Sequence, residues 1–388
     1  MKILHLITDH QVIERTLGIY EEVFPGCNEV IVFHASNQPF KRLINNYTGR
    51  VVNYDNMKDF VRNYDFTNVT HVISHYMSMD KIDFIKLIPN NIHVCWEIYG
   101  YDLYHQFLEP LGYNNHYTDP ILYGKHPYLR KYFGSILKVL STSKNILFGK
   151  HKTYQFDCQK KRQFKYICDR INSIQYCCGY DAKYVRDFAK RNIPSYEIFN
   201  YSLDEVLGEL KDVEFFDGKD ILIGNSASFS NNHLYVLEYL KKMDISDGTK
   251  IIMPLSYGGN IKYADDVEAT YRQYYKTQLM TLRNYIPLHE YNKMFLRIKA
   301  MFLPAWRQEQ QGTAIMGFYF GIKVFMAERN PLYKWFVDLG FIVFPLEKMT
   351  SEDLATPLSL EDKINNRKLV ETHYSDNMVK ENFRTYIK

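Results

Sequence analysis

The chain has 388 residues, too many for one ordinary hydrophobic core and suited to two domains. Hydrophobic residues at 46% against 24% charged residues exclude a disordered chain, and a net charge of +4 gives no whole-molecule case for nucleic-acid binding. The six cysteines, Cys27, Cys95, Cys158, Cys168, Cys177 and Cys178, form no C-x-x-C pair and fit the reduced thiols of a cytoplasmic protein.

Short β-branched and apolar runs alternate with helical spacing along the chain, which predicts β-α units around parallel sheets. The start, Met1 to Asp9, reads as a first buried strand, not a signal peptide. Predicted strands at Lys2–Thr8, Glu29–Ala35, Val51–Tyr54, His71–His75 and His93–Glu97 build the first half, with helices at Glu14–Val23 and Met79–Leu87. A helical, aromatic and basic insert covers about 101–166. Strands at Ser173–Cys178 and Glu197–Tyr201 follow, with a helix from Asp181 between them. The acidic stretch Asp204–Asp217 reads as a linker.

The second half restarts the alternation. Strands are predicted at Asp220–Ile223, Lys250–Leu255, Thr281–Ile286, Ala300–Pro304, Lys323–Ala327 and Phe341–Phe344. Helices fall at Asn231–Met243, Ala264–Tyr275, Glu290–Ile298, Thr313–Phe320 and Pro331–Leu339. The longest apolar run, Ile315–Ala327, is broken by Lys323 and falls short of the ~20 residues of a spanning helix. The expected organisation is α/β: an N-terminal Rossmann-like domain over 1–203, a second over 218–350, and C-terminal helices over 351–388 packing back toward the first.

In doubly wound sheets, ligands bind beyond the carboxyl ends of the strands. Gly224-Asn225-Ser226-Ala227-Ser228 leads from a strand into a helix beginning near Asn231-Asn232-His233. Small residues with exposed N–H groups at a helix start suit a phosphate, although one such residue would serve as a simple cap. Trp306-Arg307-Gln308-Glu309-Gln310-Gln311-Gly312-Thr313 repeats the pattern. Its Arg suits phosphate, and Gln or Glu suits sugar hydroxyls. Ser256-Tyr257-Gly258-Gly259 ends another strand and could close over a base or phosphate.

In the first half, Trp96-Glu97-Ile98-Tyr99-Gly100-Tyr101-Asp102 sets two carboxylates among aromatic rings, a pairing typical of sugar sites. Glu97, Asp102 and His75 are the candidate catalytic bases, His75 being more ordinarily a structural residue. Asp9 and His10 occupy the matching place after the first strand.

These segments together resemble the bacterial 4-acetamidofucosyltransferases, glycosyltransferase family 56. The resemblance rests on Gly224-Asn225-Ser226 with Asn231-Asn232-His233, Pro254 through Gly258, Arg307-Gln308 with Gln311-Gly312-Thr313, and Tyr99 through Tyr104. It covers Ile221–Trp335 best, and Glu309 and the insert depart from the pattern. It implies a GT-B fold, two Rossmann-like doubly wound domains facing across a cleft, with the donor on the second domain. Gly224, Asn225, Ser226, Ser228, Asn232, Gln311, Gly312 and Thr313 would then surround the diphosphate, with Tyr257, Gly258 and Arg307 flanking the donor.

The implied reaction moves a sugar from a TDP-4-acetamido-4,6-dideoxygalactose-like donor to a lipid-linked saccharide in surface-polysaccharide synthesis. The sequence holds no D-x-D triplet, so no metal or other cofactor is expected. Helix N-termini, with Arg307 or Lys262, would stabilise the leaving diphosphate. Between Lys144 and Lys165 seven Lys/Arg face one acid, interleaved with aromatics, a pattern shared by solvated basic faces and nucleic-acid binders. With a transferase fold, peripheral contact with the inner face of the cytoplasmic membrane is expected in place of nucleic acid. The alternatives are a GT-B transferase with a fucosyl or hexosyl donor in capsule or O-antigen assembly, and a non-catalytic nucleotide- or sugar-binding protein. A dehydrogenase is disfavoured because no G-x-G-x-x-G follows the first strand.

Overall fold

The computed structural model describes residues 1–8, 13–34, 50–111, 113–115, 117, 151–201, 203–259 and 261–387. They form two compact units. The first takes the described parts of Met1–Tyr113, Ser141–Ser202 and Asp376–Lys388, and the second those of Asn114–Leu140 and Leu203–Ser375.

The first unit carries β1 (Lys2–Thr8), β2 (Asn28–Phe33), β3 (Arg50–Val52), β4 (Val69–His75), β5 (His93–Glu97), β6 (Ser173–Tyr176) and β7 (Ser195–Glu197). They pair in parallel in the order β3-β2-β1-β4-β5-β6-β7. Side chains alternate across a strand, so each strand feeds two faces. One face is apolar: Leu4, Leu6, Val72, Val94, Trp96 and Ile174 join one core with Ile82 and Phe84 of α3 (Met79–Ile85) and Ile167 of α4 (His151–Arg170). α2 (Met57–Asn63) adds Met57 to that core.

The opposite face is unusually polar. His5, His75, Cys95, Glu97, Ser173 and Gln175 all lie on it, and all are buried. α1 (Ile13–Val23) and the C-terminal helix Asp376–Ile387 cover this face, with Tyr20 edge-on to Phe383 at 4.7 Å and Tyr386 against His93. α5 (Gly179–Ala189) connects β6 to β7.

The second unit opens with α6 (Leu203–Leu207) and contains β8 (Asp220–Ile223), β9 (Ile251–Pro254), β10 (Leu279–Leu282), β11 (Ile298–Leu303), β12 (Lys323–Met326) and β13 (Phe344–Pro345). Their parallel order is β10-β9-β8-β11-β12-β13, the doubly wound arrangement whose direction reverses between β8 and β11. Its helices are α7 (His233–Leu240), α8 (Ile261–Arg272), α9 (Leu288–Phe295), α10 (Gln311–Tyr319), α11 (Pro331–Asp338), α12 (Ser351–Ala355) and α13 (Leu360–Tyr374). No helix among the described residues is long and apolar enough to cross a membrane.

Several expected boundaries move. The acidic linker is structured: α6 and the turn after it bury Leu203, Leu207 and Leu210, and Asn292 of α9 donates to the Val206 carbonyl at 2.6 Å. Phe341, expected in the last strand, instead packs on Phe318 and Phe336, and pairing starts only at Phe344. The strand expected at Thr281–Ile286 ends at Leu282, leaving Tyr285 83% exposed. Apolar character here signalled contact with helices or a surface position, not strand pairing.

Candidate functional site

The second unit gathers its strand-end loops at the reversal point. Gly224 closes β8 with φ +66°, and its amide donates to the Phe302 carbonyl of β11 at 2.9 Å. A Cβ there would lie 2.7 Å from Asn231 Oδ1 and 2.9 Å from His233 Nε2, so only glycine fits. The helix expected at Asn231 is preceded by a 3-10 turn, Phe229–Asn231, and α7 itself starts at His233 after the left-handed Asn232.

Asn231 ties the site together. Its Oδ1 accepts from the amides of Asn225 (2.9 Å) and Ser226 (3.3 Å) and from Gln310 Nε2 (2.7 Å). Its Nδ2 donates to Ser226 Oγ and Glu309 Oε1, both at 3.2 Å. The turns near 225 and 312 therefore converge, joined by one fully buried side chain. Glu309 also accepts from Ser230 Oγ and pairs with Arg307 at 3.0 Å. The third loop joins through the Ala227 amide, which donates to the Tyr257 carbonyl at 2.7 Å. Gly259 is pressed against the same segment, where a Cβ would stand 1.8 Å from the Ala227 carbonyl oxygen.

This geometry redistributes the expected roles. The amides of Asn225 and Ser226 are engaged by Asn231. Asn232 is buried, accepting from the Tyr117 amide at 2.6 Å and donating to the Pro304 carbonyl at 3.3 Å, which makes it an interior bracket. Lys262 pairs with Asp266 on the exposed surface of α8. Ser228, Tyr257 and Gly258 lie at the rim, Tyr257 being 59% exposed. Arg307 and Gln311 are largely buried at the inner edge. Gly312 and Thr313, half-buried, occupy the first turn of α10, where backbone N–H groups have no acceptor within the helix. A Cβ on Gly312 would meet nothing within 4 Å, so there is open space beside Gly312. Sequence reasoning missed Asn231 and Gln310 as the ties; their signal was a run of amide side chains too rich for one cap.

The first unit uses its strand-end charges differently. His75 Nδ1 lies 2.5 Å from Glu97 Oε2, and both residues are fully buried. His75 Nε2 meets His5 Nδ1 at 2.8 Å, and His5 Nε2 meets Asn28 Oδ1 at 3.0 Å. The Asn28 amide nitrogen donates to the Tyr20 and Phe24 carbonyls and to Glu21, so its oxygen faces His5. His5 must then donate from Nε2 and accept at Nδ1, and His75 must donate from Nε2. One proton is left to bridge His75 Nδ1 and Glu97. Burial and the neighbouring His75 hold the His5 pKa down to about 3, in keeping with a neutral ring.

Asp102 is also fully buried, accepting from the Met77 amide (2.9 Å), the Trp96 indole (2.8 Å) and the Tyr99 amide (3.1 Å). Burial raises its pKa. Glu97, Asp102 and His75, expected as bases, are thus each fully buried and engaged with an interior partner. Asp9 and His10 lie outside the described residues, as does the basic segment up to residue 150.

The two doubly wound units define a glycosyltransferase fold of the GT-B class. The chain resembles the sucrose-phosphate synthase of Thermosynechococcus elongatus, at 8% identity and a TM-score of 0.62, covering 100% of this chain and 98% of that one. It is similar to Anabaena HepE, solved with UDP and glucose, at 9% identity and a TM-score of 0.59, covering 100% and 99%. The E. coli trehalose-6-phosphate protein, bound with UDP-2-fluoro glucose, gives 9% and 0.58 over 100% and 98%. No curated protein matches the chain by sequence. Residues 154–360, more than half of the chain, match the family described as 4-alpha-L-fucosyltransferase, glycosyl transferase group 56, and the chain belongs to that family. It is a glycosyltransferase.

Proposed function

We propose that the enzyme transfers a sugar from a nucleoside diphosphate, of the TDP-4-acetamido-4,6-dideoxygalactose type, to a hydroxyl of a lipid-linked saccharide in bacterial surface-polysaccharide assembly. The observation that carries this reading is the convergence on Asn231 of the loops after β8 and β11, next to open space at Gly312 in the first turn of α10. The amides and Thr313 hydroxyl at the start of α10, with Ser228, hold the diphosphate, and the helix dipole adds to the attraction. Glu309 keeps Arg307 in place and accepts from a donor hydroxyl.

In the reaction the acceptor oxygen bonds to the anomeric carbon while the bond to the β-phosphate oxygen breaks. The acceptor proton passes to water, and the nucleoside diphosphate leaves with its charge stabilised by the α10 amides. Dose-dependent shifts in melting temperature with UDP, TDP and GDP test the donor class, because a ligand bound only by the folded state raises stability. A rise with at least one of them, largest with TDP, is expected; no rise with any of the three removes the reading.

Peripheral membrane contact is supported by the exposed Lys161, Arg162 and Lys165 on α4. Each basic group near an anionic surface is worth about 1 kcal/mol.

A further inference from the structure

At the carboxyl ends of β4 and β5 the chain takes an unusual path. Tyr76, the residue after β4, is left-handed at φ +62°, a conformation rare for a bulky side chain. Six hydrogen bonds from four donor groups hold it there. The fully buried Lys81 ammonium donates to the carbonyls of His75 and Tyr76. The Tyr76 amide donates to the Glu97 carbonyl at 3.2 Å, the Met77 amide to Asp102, and Gln106 Nε2 to both the Tyr76 hydroxyl (2.8 Å) and the Met77 carbonyl (3.1 Å). Burying an ammonium is costly, and strained backbone over-determined in this way concentrates at functional sites. After β5 the chain enters a π-helix, Asp102–Leu108, another irregularity frequent at such sites.

What these distortions present is a strip of rings. Tyr101 lies nearly parallel to Tyr76, at 20° with ring centroids 6.1 Å apart, and is 46% exposed. His105 packs on Tyr101 at 4.7 Å. Polar groups beside the strip include the Gln106 amide and the Glu109 carboxylate, which pairs with His105 at 2.6 Å, while the buried Lys81 ammonium lies 5.8 Å from the Tyr76 ring centroid. An aromatic face bordered by the Gln106 carbonyl oxygen and a carboxylate matches a pyranose ring, whose C–H face stacks while its hydroxyls donate to those oxygens. A carboxylate at the rim disfavours a phosphate.

We propose that Tyr101, braced on Tyr76, is the stacking platform for a pyranose of the acceptor saccharide. This rests on the transferase reading for the word acceptor, but the saccharide binding itself is measured without a nucleotide. The test is saturation-transfer NMR on the full chain with methyl β-D-glucopyranoside and methyl 2-acetamido-2-deoxy-β-D-glucopyranoside. Saturation is expected to be strongest on the axial H1, H3 and H5 protons of at least one glycoside. Tyr101→Ala is expected to weaken that binding about tenfold, with Tyr101→Phe retaining it. The nucleotide-dependent melting shift should stay unchanged in both.

Glycoside binding to neither probe, or binding untouched by Tyr101→Ala while the nucleotide shift persists, overturns the platform and leaves the transferase reading standing. Loss of the nucleotide shift in Tyr101→Ala would also overturn it, because the ring would then serve the donor. A wild-type protein that binds the glycosides through Tyr101 but no nucleotide keeps the platform and removes the transferase reading.

Discussion

The carboxyl ends of the two sheets carry similar side chains and use them in opposite ways. In the first unit His75, Glu97 and Asp102 turn inward, partner one another or nearby backbone, and are sealed from solvent. In the second unit the interior work falls to one amide, Asn231, and the loops it ties leave Gly312, Thr313, Ser228 and Tyr257 at an open rim. Position after a strand therefore does not make a charged residue a catalyst. Polar strand-end residues are sealed in one unit and reach the surface in the other, a difference that only the three-dimensional partners reveal.

The comparison can be broken most forcefully at Glu97. Glu97→Ala leaves His75 Nδ1 without its carboxylate partner and opens a cavity, so the first unit should lose about 3 kcal/mol in urea unfolding. Glu97→Gln can still donate to His75 Nδ1 and should cost under about 1.5 kcal/mol while keeping transfer activity. Loss of turnover in a well-folded Glu97→Gln protein would restore Glu97 as a base and contradict the inward reading. In the second unit shape replaces charge: Gly259→Ala drives a methyl into the Ala227 carbonyl and should destabilise that unit by about 1–3 kcal/mol, read as an earlier melting transition.

A smaller effect comes from pH. His5 and His233, one in each unit, have folded-state pKa values lowered to about 3 by burial. The unfolded chain binds more protons than the folded one between about 3 and 6.5, so stability falls as pH drops through 6.5. Each ring costs about 2 kcal/mol at pH 5. In the first unit His93, lowered to about 4, adds to the loss, whereas Glu197, raised to about 7 by burial, offsets it between 4.5 and 7. Urea midpoints at pH 7 and pH 5 should show both units weakened; a second unit equally stable at pH 5 would mean that His233 is not held neutral.

The fold was legible because parallel strands buried on both faces write themselves as apolar runs, as in Lys2–Thr8 and Asp220–Ile223, which match their observed spans. The family motifs were legible because they gather at strand ends. The roles within them were not. Nothing in the order of letters distinguishes Asn231, which satisfies two amides, from Asn225, whose amide it satisfies. Nor does a lone Asp102 announce that three donors already surround it. Those assignments depend on long-range contacts, as does the short strand Phe344–Pro345, which the apolar Phe341 placed too early.

A diphosphate seated at the start of α10 would sit against Gly312, and Gly312→Ala probes that contact. The new methyl enters open space and alanine favours a helix over glycine, so the fold should be as stable or more so. Isothermal titration with UDP, TDP and GDP should then show the best-bound nucleotide weakened at least about tenfold, the effect of spoiling one or two charge-assisted hydrogen bonds. An unchanged Kd for that nucleotide, in a variant that melts like the wild type, would place the diphosphate elsewhere and contradict the account.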